Sequence, residues 1–203
     1  MFYLHPHKFK TNTISATQVL ESYESGRIDF SQVNLSRTAL IDVSLAGIKL
    51  WRSNLTEVNL SRSNLRNASL NESNFFGANL WRTNFHSASL IKSKFSNALL
   101  IRACLEQANL SKAVLNNTDL RLVYLKEANL RNADLSGANL SYADLRNADL
   151  KGANLSGTIL TGANLAQANL RETNLDRAVV KQANFEGATL PSARENNIKL
   201  TGI

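Results

Sequence analysis

The chain has 203 residues, and its 23 Lys and Arg against 16 Asp and Glu give a formal charge of +7, which leaves nucleic acid and acidic proteins open as partners. A single cysteine, Cys104, excludes an internal disulfide framework. No run approaches the ~20 apolar residues of a membrane helix, and the first residues lack the apolar region of a signal peptide, so we expect a cytoplasmic protein that binds no membrane.

Residues 1–27 form an N-terminal segment with one predicted helix. Ser15 and Gln18 have the spacing of a capping box, which predicts that the helix begins at Ser15. Gly26 predicts its end. The helix would carry its larger side chains on one face, namely Val19, Leu20 and Tyr23. We expect this face to cover the first turn of the fold that follows, because a terminal turn otherwise exposes strand edges and core side chains.

From Phe30 to Leu190 every fifth residue is large and apolar, over 33 consecutive positions that hold 27 Leu, five Phe and one Val. We call this position i. At i−2, 18 Ala and nine Ser or Thr occupy 32 positions. Successive leucines would step about 140° around a helix, and in a flat strand they would alternate between faces. The pattern instead predicts that i−2 and i point inward and that the chain turns at i+1 and i+2.

These pentapeptides resemble the pentapeptide-repeat family over residues 28–190. The resemblance implies an all-β fold, a right-handed four-sided parallel β-helix with four pentapeptides in each coil and about eight coils, preceded by the short capping helix. We expect this β-helix over residues 28–192 and a C-terminal tail over residues 193–203. The tail could cover the last coil or form half of a homodimer contact at the C-terminal end.

The sequence carries no pattern that predicts catalysis, a cofactor or a metal site. There is no phosphate-binding loop, zinc signature or nucleophile elbow. His5 and His7 lack further ligands nearby in the sequence. His86 is next to Ser87, but no acid that would orient it is evident. Cys104 replaces the usual Asn or Asp at i−1, and we interpret it as a neutral substitution.

A coil of four pentapeptides brings each residue close to the one 20 positions later, and this predicts one distinctive surface. Arg62, Arg82 and Arg102 form one column, with Arg121 in the adjacent column. The predicted partner-binding residues are Arg62, Trp81, Arg82, Ile101, Arg102, Arg121 and Leu122. A second basic column on another side holds Arg131, Lys151 and Arg171.

We therefore expect a non-enzymatic interaction scaffold or regulatory binding protein that presents a basic and aromatic face to another protein. Two alternatives stay open. Some members of the family protect DNA gyrase by resembling DNA, which makes gyrase modulation one alternative, although such mimicry requires an acidic surface. Direct binding of nucleic acid or other anions by the arginine columns is the second.

Overall fold

The computed structural model describes residues 12–192. It begins with strand β1 (Asn12–Thr13), helix α1 (Ala16–Glu24) and strand β2 (Val33–Asn34), and β1 pairs in parallel with β2. From there the chain winds into coils joined by single-residue parallel bridges between positions n and n+20, from the pair Asp29 and Lys49 to the pair Asn169 and Thr189. The predicted fold class, a right-handed four-sided parallel β-helix, is confirmed. His5, His7 and the predicted tail lie outside the described residues.

Main-chain hydrogen bonds between coils follow one rule along the solenoid. The N–H at i donates to the carbonyl at i+19 in the next coil, as from Leu40 to Asn59 at 2.7 Å. The N–H at i−1 donates to the carbonyl at i−22 in the preceding coil, as from Asn59 to Thr38 at 2.9 Å. Each pentapeptide therefore pairs with the one directly above and the one directly below it, and equivalent positions of successive coils form columns.

The interior is filled by the residues at i and i−2, as predicted. From Phe30 to Leu170 every residue at i is buried, with an exposed fraction of at most 1%. The widest side chains meet in the same region, where Phe75 stacks on Phe95 at 4.8 Å between ring centroids. Serine and threonine at i−2 are satisfied inside the coil, because their hydroxyls donate to main-chain carbonyls, as from Ser63 Oγ to the carbonyl of Leu40 at 2.6 Å.

The corner of each pentapeptide places i+2 in the left-handed region, with φ between 53° and 63° from Gln32 to Gln182 wherever the residue is not glycine. No Val, Ile or Thr occupies these corners, because branching at Cβ makes this conformation especially costly. Long side chains at i+2 project into solvent, and they include Arg62, Arg82 and Arg102.

Helix α1 covers the first coil, as predicted. The Ser15 hydroxyl accepts a hydrogen bond from the N–H of Gln18, and the Gln18 side chain accepts one from the N–H of Ser15. At the other end Gly26, with φ 96°, closes the helix. Val19 is fully buried in the core, and the Tyr23 hydroxyl donates to the carbonyl of Ala46 at 2.7 Å.

The last coil is less well covered than the first. Val180 and Phe185 occupy position i but are only partly buried, and Leu190 is 39% exposed. The two ends of the described solenoid therefore differ, since apolar side chains are sealed under α1 at one end and remain accessible at the other.

The neighbours Leu99 and Leu100 allow an exposed leucine to be compared with a buried one. Leu100 is fully buried, whereas Leu99 points outward and is 46% exposed. We expect Leu100→Ala to lower the free energy of unfolding by about 2–5 kcal/mol, because it leaves a cavity in the core. Leu99→Ala should change it by no more than about 0.5 kcal/mol. Urea denaturation followed by circular dichroism compares the two, and equal losses would contradict this account of the interior.

A matched pair on α1 tests the cap. Val19→Asp places a charge in a fully buried site, whereas Thr17 is exposed on the same helix. We expect Val19→Asp to lower the melting temperature and expose apolar surface to a hydrophobic dye, since an unpaired buried charge detaches the helix. Thr17→Asp should leave both unchanged, or raise stability slightly through the helix dipole. Unchanged melting of Val19→Asp would show that α1 does not stabilise the first coil.

Candidate functional site

One side of the β-helix carries the predicted binding residues, and we call it the apolar face. It consists of the outward positions 39, 41 and 42 and their equivalents in each later coil, up to 182. The coil hydrogen bonds connect its members directly. The N–H of Arg62 donates to the carbonyl of Trp81 at 2.8 Å, and that of Arg82 donates to the carbonyl of Ile101 at 3.1 Å. The N–H of Arg102 donates to the carbonyl of Arg121, also at 3.1 Å, and Leu122 follows Arg121. The seven predicted residues therefore lie together, while their role in binding stays a prediction.

The arginines of this face differ in ways that the column arrangement did not predict. Arg62 forms an ion pair with Asp42, with Nε donating to Oδ1 at 2.7 Å. Arg121 binds the Asp119 carboxylate with two nitrogens, at 2.9 Å and 2.7 Å. The Asp119 hydrogen bond raises the pKa of Arg121 above its ordinary value. Two of the four predicted arginines are thus neutralised by carboxylates of the same face.

Arg82 and Arg102 remain available to a partner. The Arg82 guanidinium lies over the Trp81 ring, 4.8 Å from its centroid, which holds the charge against an aromatic surface. Among residues 12–192, no carboxylate forms an ion pair with Arg82 or Arg102. The accessible positive charge of the predicted site is therefore concentrated in two neighbouring corners.

Exposed apolar side chains are concentrated on the same face. Eleven large hydrophobic residues are exposed within residues 12–192, and seven of them belong here: Ile41, Trp81, Leu99, Leu122, Tyr142, Ile159 and Val179. They extend from one end of the solenoid to the other. The face is therefore more apolar than the predicted basic and aromatic surface, and Leu99, Tyr142, Ile159 and Val179 extend it beyond the predicted residues. The coil period of the sequence already places Leu99 and Tyr142 on this face, and the same column positions are the signal that would have found Ile159 and Val179.

Tyr142 lies flat along the face because its neighbour in the next coil is a glycine. A Cβ at Gly162 would lie 2.6 Å from the Tyr142 ring, so only glycine permits this close approach. Among residues 12–192, Tyr142 is the most exposed of the large apolar residues, at 61%.

The second basic column is largely paired. Arg131 forms an ion pair with Asp149 at 2.9 Å, and Lys151 forms one with Glu172 at 3.0 Å. The N–H of Arg171 donates to the Asn169 side chain. Both paired cations are neutralised within their own side of the solenoid, so this column offers less free charge to a partner than Arg82 and Arg102.

A separate cluster corrects the expectation that no acid lies near His86, while the interpretation of Cys104 as a neutral substitution stays a prediction. Glu106, one coil beyond His86, lies 3.9 Å from it between Oε2 and Nδ1, so an acid does face this imidazole. The Cys104 sulfur is close to both, and the three ligand atoms lie within 4.8 Å of one another. Burial raises the pKa of the Cys104 thiol, partly opposed by the N–H of Glu106. The placement of His86 and Glu106 in one column is the signal that the sequence contained.

No helix among the described residues is long and apolar enough to cross a bilayer.

The chain is similar to the solved structure of HetL, a pentapeptide repeat protein involved in heterocyst differentiation regulation from the cyanobacterium Nostoc sp. strain PCC 7120. The two chains are 28% identical, the match covers 88% of this chain and 98% of that chain, and the TM-score is 0.43. No curated protein matches the sequence.

Two further solved structures are similar. One is a trypsin-treated form of QnrB1, a plasmid-mediated fluoroquinolone resistance protein, with 19% identity, 82% of this chain and 78% of that chain covered, and a TM-score of 0.45. The other is Rfr23 from the cyanobacterium Cyanothece 51142, with 22% identity, 87% and 99% covered, and a TM-score of 0.25.

The family model described as pentapeptide repeats, in eight copies, matches most of the solenoid. The matched segments overlap and together run without a gap, over residues 53–90, 68–107, 78–117, 103–141, 118–157 and 154–190. The match thus covers well over half of the chain and coincides with the coils whose leucines fill the interior. The chain belongs to the pentapeptide-repeat family.

Proposed function

We propose that this protein is a non-enzymatic scaffold that binds another protein through the apolar face, with Arg62, Trp81, Arg82, Ile101, Arg102, Arg121 and Leu122 at its centre. The observation that carries the proposal is the concentration of seven of the eleven exposed large apolar residues on one side of the described solenoid. Contiguous exposed apolar surface is typical of protein interaction sites.

Leu99 and Ile159 of this face occupy position i−1, where Asn would stabilise the coil. Where the repeat has Asn at i−1, its side-chain oxygen accepts the N–H two residues later, as from Trp81 to Asn79 at 3.2 Å. Leu99 and Ile159 cannot accept such a bond from Ile101 or Thr161. The coil therefore lacks a local hydrogen bond at these positions and exposes an apolar side chain instead. Such a substitution is expected of residues that contact a partner.

The charges of the face favour an acidic protein surface as its partner. Arg82 is exposed beside Trp81, and Arg102 lies in the next coil, without carboxylate partners among the described residues. Arginine and tryptophan are the residue types that most often dominate binding energy at interfaces. The partner we infer is a protein that presents apolar side chains flanked by carboxylates.

The other functions receive less support from the geometry. Binding of nucleic acid requires a series of free cations along the phosphates, whereas Arg62 and Arg121 pair with Asp42 and Asp119. Mimicry of DNA toward gyrase requires an acidic surface, and the formal charge of the chain is +7.

Site-specific photocrosslinking tests the proposed face. A photoreactive amino acid at Leu122, in the full chain expressed in its own cells, should produce a protein adduct that mass spectrometry identifies. The same amino acid at Lys112 is the matched control, because Lys112 occupies the same corner position on another side of the solenoid. Adducts of equal yield from both positions, or an adduct to nucleic acid, would contradict the proposal.

Charge reversal then tests the arginines against the identified protein. Arg82→Glu with Arg102→Glu should weaken binding more than about tenfold, because carboxylates would then face carboxylates. The control is Lys92→Glu with Lys112→Glu, which reverses two charges at equivalent corners of another side. The melting temperature should be nearly unchanged in both. The slope of log affinity against log salt concentration is compared for the parent and the variant. A fall of about one unit for each arginine removed would instead indicate phosphate binding.

We also propose self-association through the C-terminal end, because Val180, Phe185 and Leu190 remain partly exposed there. A second copy could pair its coil edge with this one and bury these side chains. Sedimentation of the full chain should show a dimer that dissociates in Leu190→Asp, with Leu99→Asp as the control on an exposed leucine elsewhere. A monomeric wild-type chain at high concentration would exclude this contact.

A further inference from the structure

His86, Cys104 and Glu106 form a cluster of three different metal-ligand types on another side of the solenoid from the apolar face. Their ligand atoms lie within 4.8 Å of one another, and all three residues are half-buried. His86 and Glu106 occupy the same outward position, i+1, in consecutive coils, and Cys104 lies two residues before Glu106. The coil geometry, rather than the local sequence, therefore brings the imidazole and the carboxylate together.

Cys104 occupies a position that Asn or Asp fills in most pentapeptides. At most i−1 positions an Asn or Asp oxygen accepts the N–H two residues later, as Asn84 Oδ1 does from His86 at 3.0 Å. At Cys104 a thiol stands where that oxygen would be, two residues before Glu106. The Cys104 sulfur lies close to the Glu106 carboxylate and to the His86 imidazole of the preceding coil, with the three ligand atoms within 4.8 Å of one another.

The polar atoms of the cluster have few other partners. Among residues 12–192, neither ring nitrogen of His86 takes part in a hydrogen bond, and its contact with Glu106, at 3.9 Å, is longer than one. The Glu106 carboxylate likewise receives no hydrogen bond from a side chain of the described residues. An imidazole, a thiol and a carboxylate thus converge on a common space without being satisfied by one another.

We propose that His86, Cys104 and Glu106 bind a divalent transition-metal ion, with Zn²⁺ as the expected ion. Nitrogen, thiolate and carboxylate ligands together suit Zn²⁺, whereas Mg²⁺ and Ca²⁺ prefer oxygen alone. A tetrahedral Zn²⁺ holds its ligand atoms roughly 3.3–3.6 Å apart. The three ligand atoms lie within 4.8 Å of one another, so binding requires side-chain rotations that bring them to this spacing. The bound ion joins two consecutive coils and keeps a fourth position open to water or to a ligand from a partner.

Cobalt spectroscopy tests the site directly. The full, reduced chain carrying His5→Gln and His7→Gln, which removes the other two histidines, is titrated with Co²⁺ alone. We expect one equivalent to bind, with a thiolate-to-cobalt charge-transfer band in the near ultraviolet and intense visible bands of a tetrahedral ion. Added Zn²⁺ should displace the Co²⁺ and abolish both sets of bands.

Single variants assign the ligands. Cys104→Ser should remove the charge-transfer band, and His86→Gln and Glu106→Gln should each weaken Co²⁺ binding at least about tenfold, since loss of a ligand costs no less than loss of its supporting partner. Ser87→Ala, next to His86 but outside the cluster, is the control and should bind as the parent does. Circular dichroism checks that each variant keeps the fold.

A second readout does not depend on cobalt spectra. Zn²⁺ should raise the melting temperature of the parent chain, because it binds the folded state preferentially, and should leave Cys104→Ser unchanged. The proposal is wrong if no charge-transfer band forms, or if the band is unaffected in both His86→Gln and Glu106→Gln, which would indicate binding to an isolated thiol.

Discussion

The main-chain hydrogen bonds between successive coils are the interaction on which the rest of this structure depends. From Phe30 to Leu170 the N–H at i reaches the carbonyl at i+19, as from Leu60 to Asn79 at 2.9 Å, so the register does not slip over these coils. The main-chain N–H and carbonyl groups of each coil find their partners in the next coil only if the coils are equal in length and stacked in parallel. The roughly 4.8 Å spacing of neighbouring strands then fixes how closely the side chains of one column can approach.

That spacing controls what the outer surface can carry. Like charges in one column lie close together, and their repulsion is relieved in two ways. Arg62 and Arg121 are paired with carboxylates, whereas Arg82 is placed over the ring of Trp81. A column of Lys or Arg in a solenoid is therefore not by itself a basic patch, because its net field depends on the acids in neighbouring columns and coils.

The same geometry makes unrelated stretches of sequence into one surface. The apolar face draws one or a few residues from each of several coils, so its members are scattered along the chain. Leu99, Leu122 and Tyr142 lie far apart in sequence, yet they lie on one side of the solenoid. The cluster of His86, Cys104 and Glu106 arises in the same way. Binding surfaces in such a fold are assembled from residues of different coils, whereas the core is supplied by every pentapeptide in turn.

The sequence by itself determined the period, the inward residues, the capping helix and the columns, because all four follow from a repeat that places a large apolar residue at every fifth position and from the capping box at Ser15. It also placed Arg62, Trp81 and Arg82 on one side correctly. Only the tertiary structure decided which arginines are neutralised, since Asp119 reaches Arg121 and Asp42 reaches Arg62 by particular rotamers that a column position does not specify. It likewise decided that Glu106 faces His86 and that Cys104 turns its sulfur toward them, because side-chain direction is set by packing against the neighbouring coil rather than by sequence spacing.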